Sequence, residues 1–542
     1  MDHKAITSLA LFVVAVCLMP ILGVIAAALF GSFDTLGLLA DTVLWRYTRT
    51  TVLLVILVAT GSILIGSVTA WLVVTCDFPG RRMLEIALVI PLAFPAYVLA
   101  YAYTDVLDHP GIVQSTLREL MGWGPRDYWF PEIRSLGGAA MMLTLVLYPY
   151  VYLLTRAAFR LQAATPFYAA RSLGASPVGA FLKVSLPMAR PAIAAGALLA
   201  VMETIADFGT VAHFSVQTFA TGIYTSWFGL ADRGAAAQLA LGLLCFALLV
   251  AALEHVNRGA ATFAVKGRRE PFVRFQLSRG KAFGAQMACF LPVLFGVIIP
   301  TVTLILMSLR SQQVIFSPRY IGFIQNTLTL AAVASVVTVA AAVFLGTFYR
   351  VAPSRVSLAS LFVGRLGYAV PGGVIAVGLL VPFAQFDNWF DARMEAWFDI
   401  STGLLITGSI WLMIAAYMIR FLAAAIGAYD SGLATVTPNI DAASRVLGRS
   451  AWGTVKDVHL AVLRPSILTA LLIVFVDTIK ELPATLIMRP FNYDTLAVHA
   501  FRLASDERLQ GAAVPSLMIA GIGFVPVILL CIQISEARSQ GR

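Results

Sequence analysis

Apolar residues run along this chain in long unbroken blocks, not at the alternating or three-to-four spacing of half-buried soluble elements. A helix needs about 20 apolar residues to cross a bilayer. Twelve blocks approach or exceed that length, at 8–30, 51–75, 84–106, 137–160, 191–213, 236–255, 286–308, 326–349, 358–383, 403–427, 466–488 and 514–533. The pattern predicts an all-α polytopic membrane protein with about 12 transmembrane helices. The block 8–30 is long for a signal-peptide core, and Ala26, Ala27 and Ala28 lie inside it, so it reads as the first span.

Composition agrees with this reading. Of 542 residues, 59% are hydrophobic and 12% charged, against about 25% charged in soluble domains. The formal net charge of +10 would raise nucleic-acid binding in a soluble chain. Here inner loops rich in Lys and Arg account for it, and no RNP, zinc or basic-helix motif supports a nucleic-acid partner. With the N-terminus inside, 25 of the 38 Lys and Arg fall on inner segments or span ends and 12 on outer ones, which leaves Lys480 within a span. The positive-inside rule then places both termini in the cytoplasm. The stretch 256–285, with Arg258, Lys266, Arg268, Arg269, Arg274, Arg279 and Lys281, is the strongest inner marker.

Candidate chemistry is sparse. Cys17, Cys76, Cys245, Cys289 and Cys531 sit in or beside apolar blocks at no metal-like spacing, and the histidines form no HxxxH or HExxH pair. No GxxxxGK[ST] occurs, so the chain holds no nucleotide cradle. No nucleophile elbow supports an enzyme, and no cofactor is expected on this chain.

An internal repeat organises the rest. Shifted by 274 residues, YAARSLGASPVGAFLKVSLPMARPAI (168–193) lies over AASRVLGRSAWGTVKDVHLAVLRPSI (442–467), with eleven of 26 positions identical and no gap. DFPGRR (77–82) lies over VAPSRV (351–356), and METIADFG (202–209) over VDTIKELP (476–483). The chain therefore divides into a first transmembrane unit at 1–260, a basic joining segment at 261–285 and a second transmembrane unit at 286–542. Six spans per unit give both the same orientation, two parallel six-helix repeats, and a pseudo-twofold axis along the membrane normal with a path between them.

Both repeated segments precede the fifth span of their unit, in inner loops. The first reads Ala169-Ala170-x-x-x-Gly174, nine residues, then Val184-x-Leu186-Pro187. This spacing resembles the EAA loop of binding-protein-dependent ABC importers. Gly174 and Gly448 suit a sharp turn between two short helices. The resemblance implies a type I ABC importer permease fold. It also implies two docking loops for two copies of a separate cytoplasmic ATPase, which carries the ATP. The residues concerned are Ala169, Ala170, Gly174, Ser176, Gly179, Leu186 and Pro187 in the first loop. In the second they are Ala443, Gly448, Ser450, Gly453 and Leu460. The chain departs from the family where Tyr168 and Ala442 replace its glutamate and Ala461 its proline. Nearly end to end, the chain resembles the fused ferric iron permeases of ABC importers. IPLAFPAYVLAYAY (90–103), DYWFPEIRSLGGA (127–139), METIADFGTVAHF (202–214), TFATGIYTSWF (218–228) and KELPATLIMRPFNYDTLAV (480–498) carry that likeness. It implies import of ferric iron across the bacterial inner membrane from a periplasmic substrate-binding protein, by alternating access. Thiamine and polyamines are the alternative cargoes, and an ion-driven secondary transporter is the rival class.

Charges within spans are costly and tend to be functional. Glu203 and Asp207 stand four apart in the fifth span, and the repeat sets Asp477 and Glu481 likewise in the eleventh. Residues at i and i+4 share a helix face, so the four carboxylates are expected to line one translocation path, with oxygen donors suited to a hard cation. Structural pairing among themselves, with Lys480 or with freed backbone groups is the alternative. Pro91, Pro95 and Pro371 (with Gly372 and Gly373) predict kinks, as gates or as packing. The acidic, aromatic segments 107–136 and 384–402 are expected as amphipathic elements at the outer surface. They would form part of a binding-protein seat or a membrane-surface cap.

Overall fold

A computed structural model describes residues 3–161, 165–258, 274–314, 317–434 and 436–536. Lys266, Arg268 and Arg269 of the basic stretch lie outside these residues. Among the described residues ten helices are long and apolar enough to cross a bilayer, and two bent helix pairs bring the number to twelve. Each corresponds to one predicted block. Backbone polar groups buried in lipid must be paired within the segment, which makes helices of such blocks. Among the described residues the one sheet is a two-residue parallel pairing of Cys76–Asp77 with Phe275–Gln276.

Several bounds differ from the sequence reading, and the differences have local causes. The predicted third span, 84–106, is two helices bent by 95°, with the break at Phe94-Pro95. Pro95 caps Ala96–Leu107, where a proline forfeits no helical hydrogen bond. The predicted ninth span, 358–383, is likewise divided. Arg355–Leu366 ends at a short 3-10 turn, and Pro371 caps a new helix, Gly372–Phe398. That helix takes in most of the segment 384–402 expected outside the membrane, so the two outer segments are built differently. In 107–136 the corresponding helix is the short Ile112–Met121. The tenth span runs Ile410–Leu433, displaced from the predicted 403–427.

The two units are interlocked. The first span, His3–Phe30, packs on Gly372–Phe398 of the second unit, backbone to backbone. A Cβ at Gly23 would collide with the Gly378 carbonyl, and one at Gly378 with the Pro20 carbonyl. Small residues permit this approach between membrane helices. Reciprocally, the seventh span lies against the third. The Tyr103 hydroxyl donates to the Phe295 carbonyl at 2.7 Å, and a Cβ at Gly296 would come within 3.3 Å of Pro91. The two largest buried apolar clusters each contain side chains from both units. The repeat also reaches single hydrogen bonds. The Phe219 amide donates to Thr51 Oγ1 at 3.3 Å, and the Leu496 amide to Thr327 Oγ1 at 2.9 Å.

Candidate functional site

The paired loops share one local construction. In the first, helix Thr165–Ser172 ends at Gly174, whose φ is +86°. In the second, Pro438–Val446 ends at Gly448, whose φ is +80°. Each turn closes with a six-to-one hydrogen bond, Ala175 amide to Ala170 carbonyl at 3.0 Å and Arg449 amide to Ser444 carbonyl at 3.1 Å. This is the Schellman arrangement, which needs a left-handed residue at the glycine position. The next helix is capped by serine in both copies. Ser176 Oγ accepts from the Gly179 amide at 3.0 Å and Ser450 Oγ from the Gly453 amide at 3.1 Å. Leu186-Pro187 and Leu460 lie where each loop enters its membrane helix. Ala169 and Ala443 are exposed, as are Leu173 and Leu447 at 88% and 81%. Matched exposed leucines beside a rigid turn are surfaces without a cover in this chain.

The four carboxylates meet in one cavity of about 80 Å³ between the units, lined also by Pro95, Tyr97, Tyr150, Arg420 and Lys480. That space holds several waters. The helical i, i+4 geometry expected for each pair is not what brings them there. Helix Leu186–Ala206 stops before Asp207, and Arg464–Ile479 stops before Glu481. Asp207 instead caps Gly209–His213, accepting from the Thr210 and Val211 amides at 3.1 and 3.2 Å and from Thr210 Oγ1 at 3.0 Å. Glu481 does the same for Pro483–Met488. It accepts from the Ala484 and Thr485 amides at 2.9 and 3.1 Å and from Thr485 Oγ1 at 2.7 Å. A carboxylate at a helix N-terminus satisfies amides that the break would otherwise leave bare. Asp207 and Glu481 thus cap the helices that follow each break, while Glu203 and Asp477 project from the last turn of the helices that precede it.

Two cations share the cavity. Lys480 Nζ pairs with Asp477 at 2.8 Å and reaches the Leu92 carbonyl of the first unit at 3.5 Å. Arg420, in mid-span, stands 3.7 Å from Glu203 and 3.8 Å from Glu481. The sequence reading missed Arg420 because the bounds 403–427 set it near an inner span end. Its signal was present in the apolar run that continues to Leu433. Neither cation is repeated. Ala206 occupies the Lys480 position, and residues 136–155 of the fourth span carry no charge. Gly372 makes room for the Arg420–Glu481 pair. A Cβ there would collide with Arg420 Nη1 and lie 2.7 Å from Glu481 Oε1.

At the face opposite the loops, Arg134 ties the units together. Its guanidinium donates to both carboxylate oxygens of Glu507 at 2.7 and 2.8 Å and to Asp108 at 3.1 Å. Hydrogen bonding to Arg134 holds the Glu507 carboxyl below the ordinary glutamate range. Within 107–136, Arg118 joins Tyr128, and Trp123 stacks on the Tyr128 ring. Beyond the bilayer end of Gly372–Phe398, Arg393 lies over Trp389 and Trp397, both exposed. Among the described residues no group of three or more His, Cys, Asp or Glu forms a metal-holding cluster.

Residues 62–258 match the family model for the binding-protein-dependent transport system inner membrane component. The matched region contains the first loop, Glu203 and Asp207, and the repeat extends the same construction to the second unit. The chain is also similar to the Fe(3+)-transport system permease protein FbpB 2 of Haemophilus influenzae. Identity is 25% over 491 residues, covering 89% of this chain and 88% of that protein. A probable ABC transporter permease protein, y4fN of Sinorhizobium fredii, is 24% identical over 86% of this chain and 82% of its own length. The putative ferric transport system permease protein FbpB 1 of Haemophilus influenzae is 23% identical over 74% of this chain and 63% of its own length.

Proposed function

We propose that this ABC importer permease, a multi-pass inner-membrane protein, moves ferric iron from a binding protein at its outer face to the cytoplasm. Two copies of a separate ATPase supply the work. The observation that carries the proposal is the shared cavity. It sits between two units with matched loops and holds four carboxylates against two cations. An excess of carboxylate favours a cation over an oxyanion, and oxygen donors suit a hard ion such as Fe³⁺. The cavity admits an ion with its waters. The names of the Haemophilus relatives support the same cargo.

The loops 165–185 and 438–459 then face the cytoplasm, with both termini, as the charge bias requires. Leu173 and Leu447 enter grooves on the ATPases. ATP-driven closure of the paired ATPases moves the two loops, and the units rock as near-rigid bodies about the interlocked spans. The Arg134–Glu507 tie must part when the outer side opens. The boundaries 1–260 and 286–542 delimit the moving units. The segments 107–136 and 384–402 form part of the seat for the binding protein. Deleting either should weaken its docking, and unchanged docking would remove them from the seat.

Glu203 and Asp477 are the residues through which to test the path, because neither caps a helix break. In proteoliposomes containing permease, ATPase and binding protein, radio-iron uptake should be lost in the Glu203→Gln/Asp477→Asn variant. Assembly with the ATPase should persist. Normal uptake in that variant, or competition of iron uptake by thiamine, would refute the reading.

A further inference from the structure

The cavity is symmetric in its carboxylates and asymmetric in its cations, and the asymmetry centres on Arg420. This guanidinium is 9% exposed and aimed into the cavity. Its Nη1 has no hydrogen-bond partner. A buried arginine without direct hydrogen bonds is unusual, since its five donors are costly to leave unmade. The other inter-unit arginine, Arg134, shows the contrast, with two hydrogen bonds under 3 Å to Glu507. Arg420 stands between Glu203 of the first unit and Glu481 of the second, at 3.7 and 3.8 Å, with its guanidinium over the Phe421 ring at 5.7 Å. Its position is built, because Gly372 clears the space it fills. Its two partners are unlike. Glu481 is fixed by three hydrogen bonds from its own segment. Glu203 stands on an intact helix of the other unit.

We propose that Arg420 is the resident counter-cation of the translocation path, neutralising Glu203 and Glu481 while the path is empty and giving way when a cargo cation enters. Two carboxylates facing one another in a low-dielectric cavity repel, and an empty path needs a positive charge between them. A guanidinium supplies it in every protonation state of the cavity. Because contact is made without hydrogen bonds, a small ion displaces it at little cost. Because the contact spans both units, displacement also removes a bridge between them. Arg420 therefore returns to expel the cation after transfer and keeps the units together when nothing is bound. Lys480 lacks this freedom, being paired at 2.8 Å to a carboxylate three residues away on its own segment.

The inference rests on the path assigned above, and its test separates the two. The complete transporter in proteoliposomes carries wild type, Arg420→Gln or Arg420→Lys. Hydrolysis of ATP is measured first without binding protein or iron, a readout that needs no assumption about cargo. Arg420→Gln should raise this rate at least about fivefold, the scale of one coupling contact between two states, and Arg420→Lys should restore it. Radio-iron uptake is measured second. In Arg420→Gln the KM should fall and kcat should drop at least about tenfold, because entry loses its competitor and release its displacing charge. A neutralised pair, Arg420→Gln/Glu203→Gln, serves if the single variant fails to assemble. It should show the raised basal rate without the fall in KM. An unchanged basal rate in the glutamine variants, or a lysine variant no better than glutamine, overturns the inference. Failure of wild type to carry iron, with the basal rates as expected, overturns the cargo and leaves the role of Arg420 standing.

Discussion

Replacing Gly174 or Gly448 with alanine isolates a single physical effect. Both glycines have φ near +80°, and a Cβ built on either meets nothing within 4 Å. Alanine there adds no clash and removes no hydrogen bond. Its whole cost is the left-handed backbone, about 1–2 kcal/mol for a residue with a Cβ. A loop that must hold this turn to present Leu173 or Leu447 should then be docked about 5–30-fold less often. The assay is titration of the purified protein with the ATPase proposed to dock on these loops, reading half-saturation of the complex. Asparagine tolerates the left-handed region, so Gly174→Asn and Gly448→Asn should lose less than the alanine variants. The two loops share no contacts, so their effects on loop folding should add. Gly179→Ala is the internal control. That glycine lies inside a helix with no positive φ and meets only Ser176 Oγ, at 3.1 Å. Equal losses at Gly174 and Gly179, or alanine as mild as asparagine at both turns, would refute the backbone argument.

Four further outcomes follow from the geometry. Ser176→Ala and Ser450→Ala should each cost about 1 kcal/mol of local helix stability through the lost cap, visible as faster amide exchange in the loops and unchanged exchange in the spans. Gly372→Ala should abolish transport, since its Cβ collides with Arg420 Nη1, and Arg420→Gln, with a shorter side chain, should partly rescue it. Gly23→Val should separate the first span from Gly372–Phe398 and lower the thermal midpoint of the detergent-solubilised protein, whereas Gly37→Val, in open space, should not. The Arg134–Glu507 tie holds a carboxyl whose folded pKa is depressed. Its contribution is present above the ordinary glutamate value and is lost as pH falls through the lower folded value. With Glu507 63% exposed, that contribution is at most about 1 kcal/mol. Glu507→Gln should abolish the pH dependence of any inter-unit cross-link placed beside it.

Among the described residues, hydropathy alone located the ten spanning helices and both bent pairs, because a bilayer admits few backbone solutions and long apolar runs have one meaning. The bounds failed where polar chemistry lies inside a run. Phe94-Pro95 and Val370-Pro371 break helices in apolar surroundings, and the turns at Asp207 and Glu481 are paired by side chains rather than by continued helix. A hydropathy window has no term for a carboxylate that caps the next helix. The repeat carried more. The register of 274 aligned the glycine turns, the serine caps and the capping carboxylates, each of which has its twin in the structure. It could not reveal Arg420, because that residue has no twin, and a span bound displaced by a few residues moved it to an end. Exposure of Leu173 and Leu447 was also beyond the pattern, since leucine in a short amphipathic stretch reads equally as an inward anchor.

The features that lie outside the repeat are the ones a symmetric path would lack. Eleven residues separate Asp207 from Thr218, and fourteen separate Glu481 from Thr495. The second unit therefore carries three extra residues between its capping carboxylate and its next helix cap, beside the only two cations in the cavity lining. Two identical halves would give two identical carboxylate pairs and a cavity of charge −4, which an empty membrane path could not leave unneutralised. Placing both cations in one unit neutralises half of that charge without filling both sides. The remaining excess sits on the first unit at Asp207, which among the described residues accepts only from Thr210 and Val211, while Glu203 shares Arg420 with Glu481. If the proposed path is the route, an entering cation is drawn toward Asp207 and the second unit supplies the charge that expels it. Exchanging the polarity, with Ala206→Lys and Lys480→Ala together, conserves net charge and composition. If only total charge matters, transport should survive the exchange. If the asymmetry sets direction of release, uptake should fall while ATP hydrolysis and assembly persist, and equal uptake in the exchanged variant would sink this account.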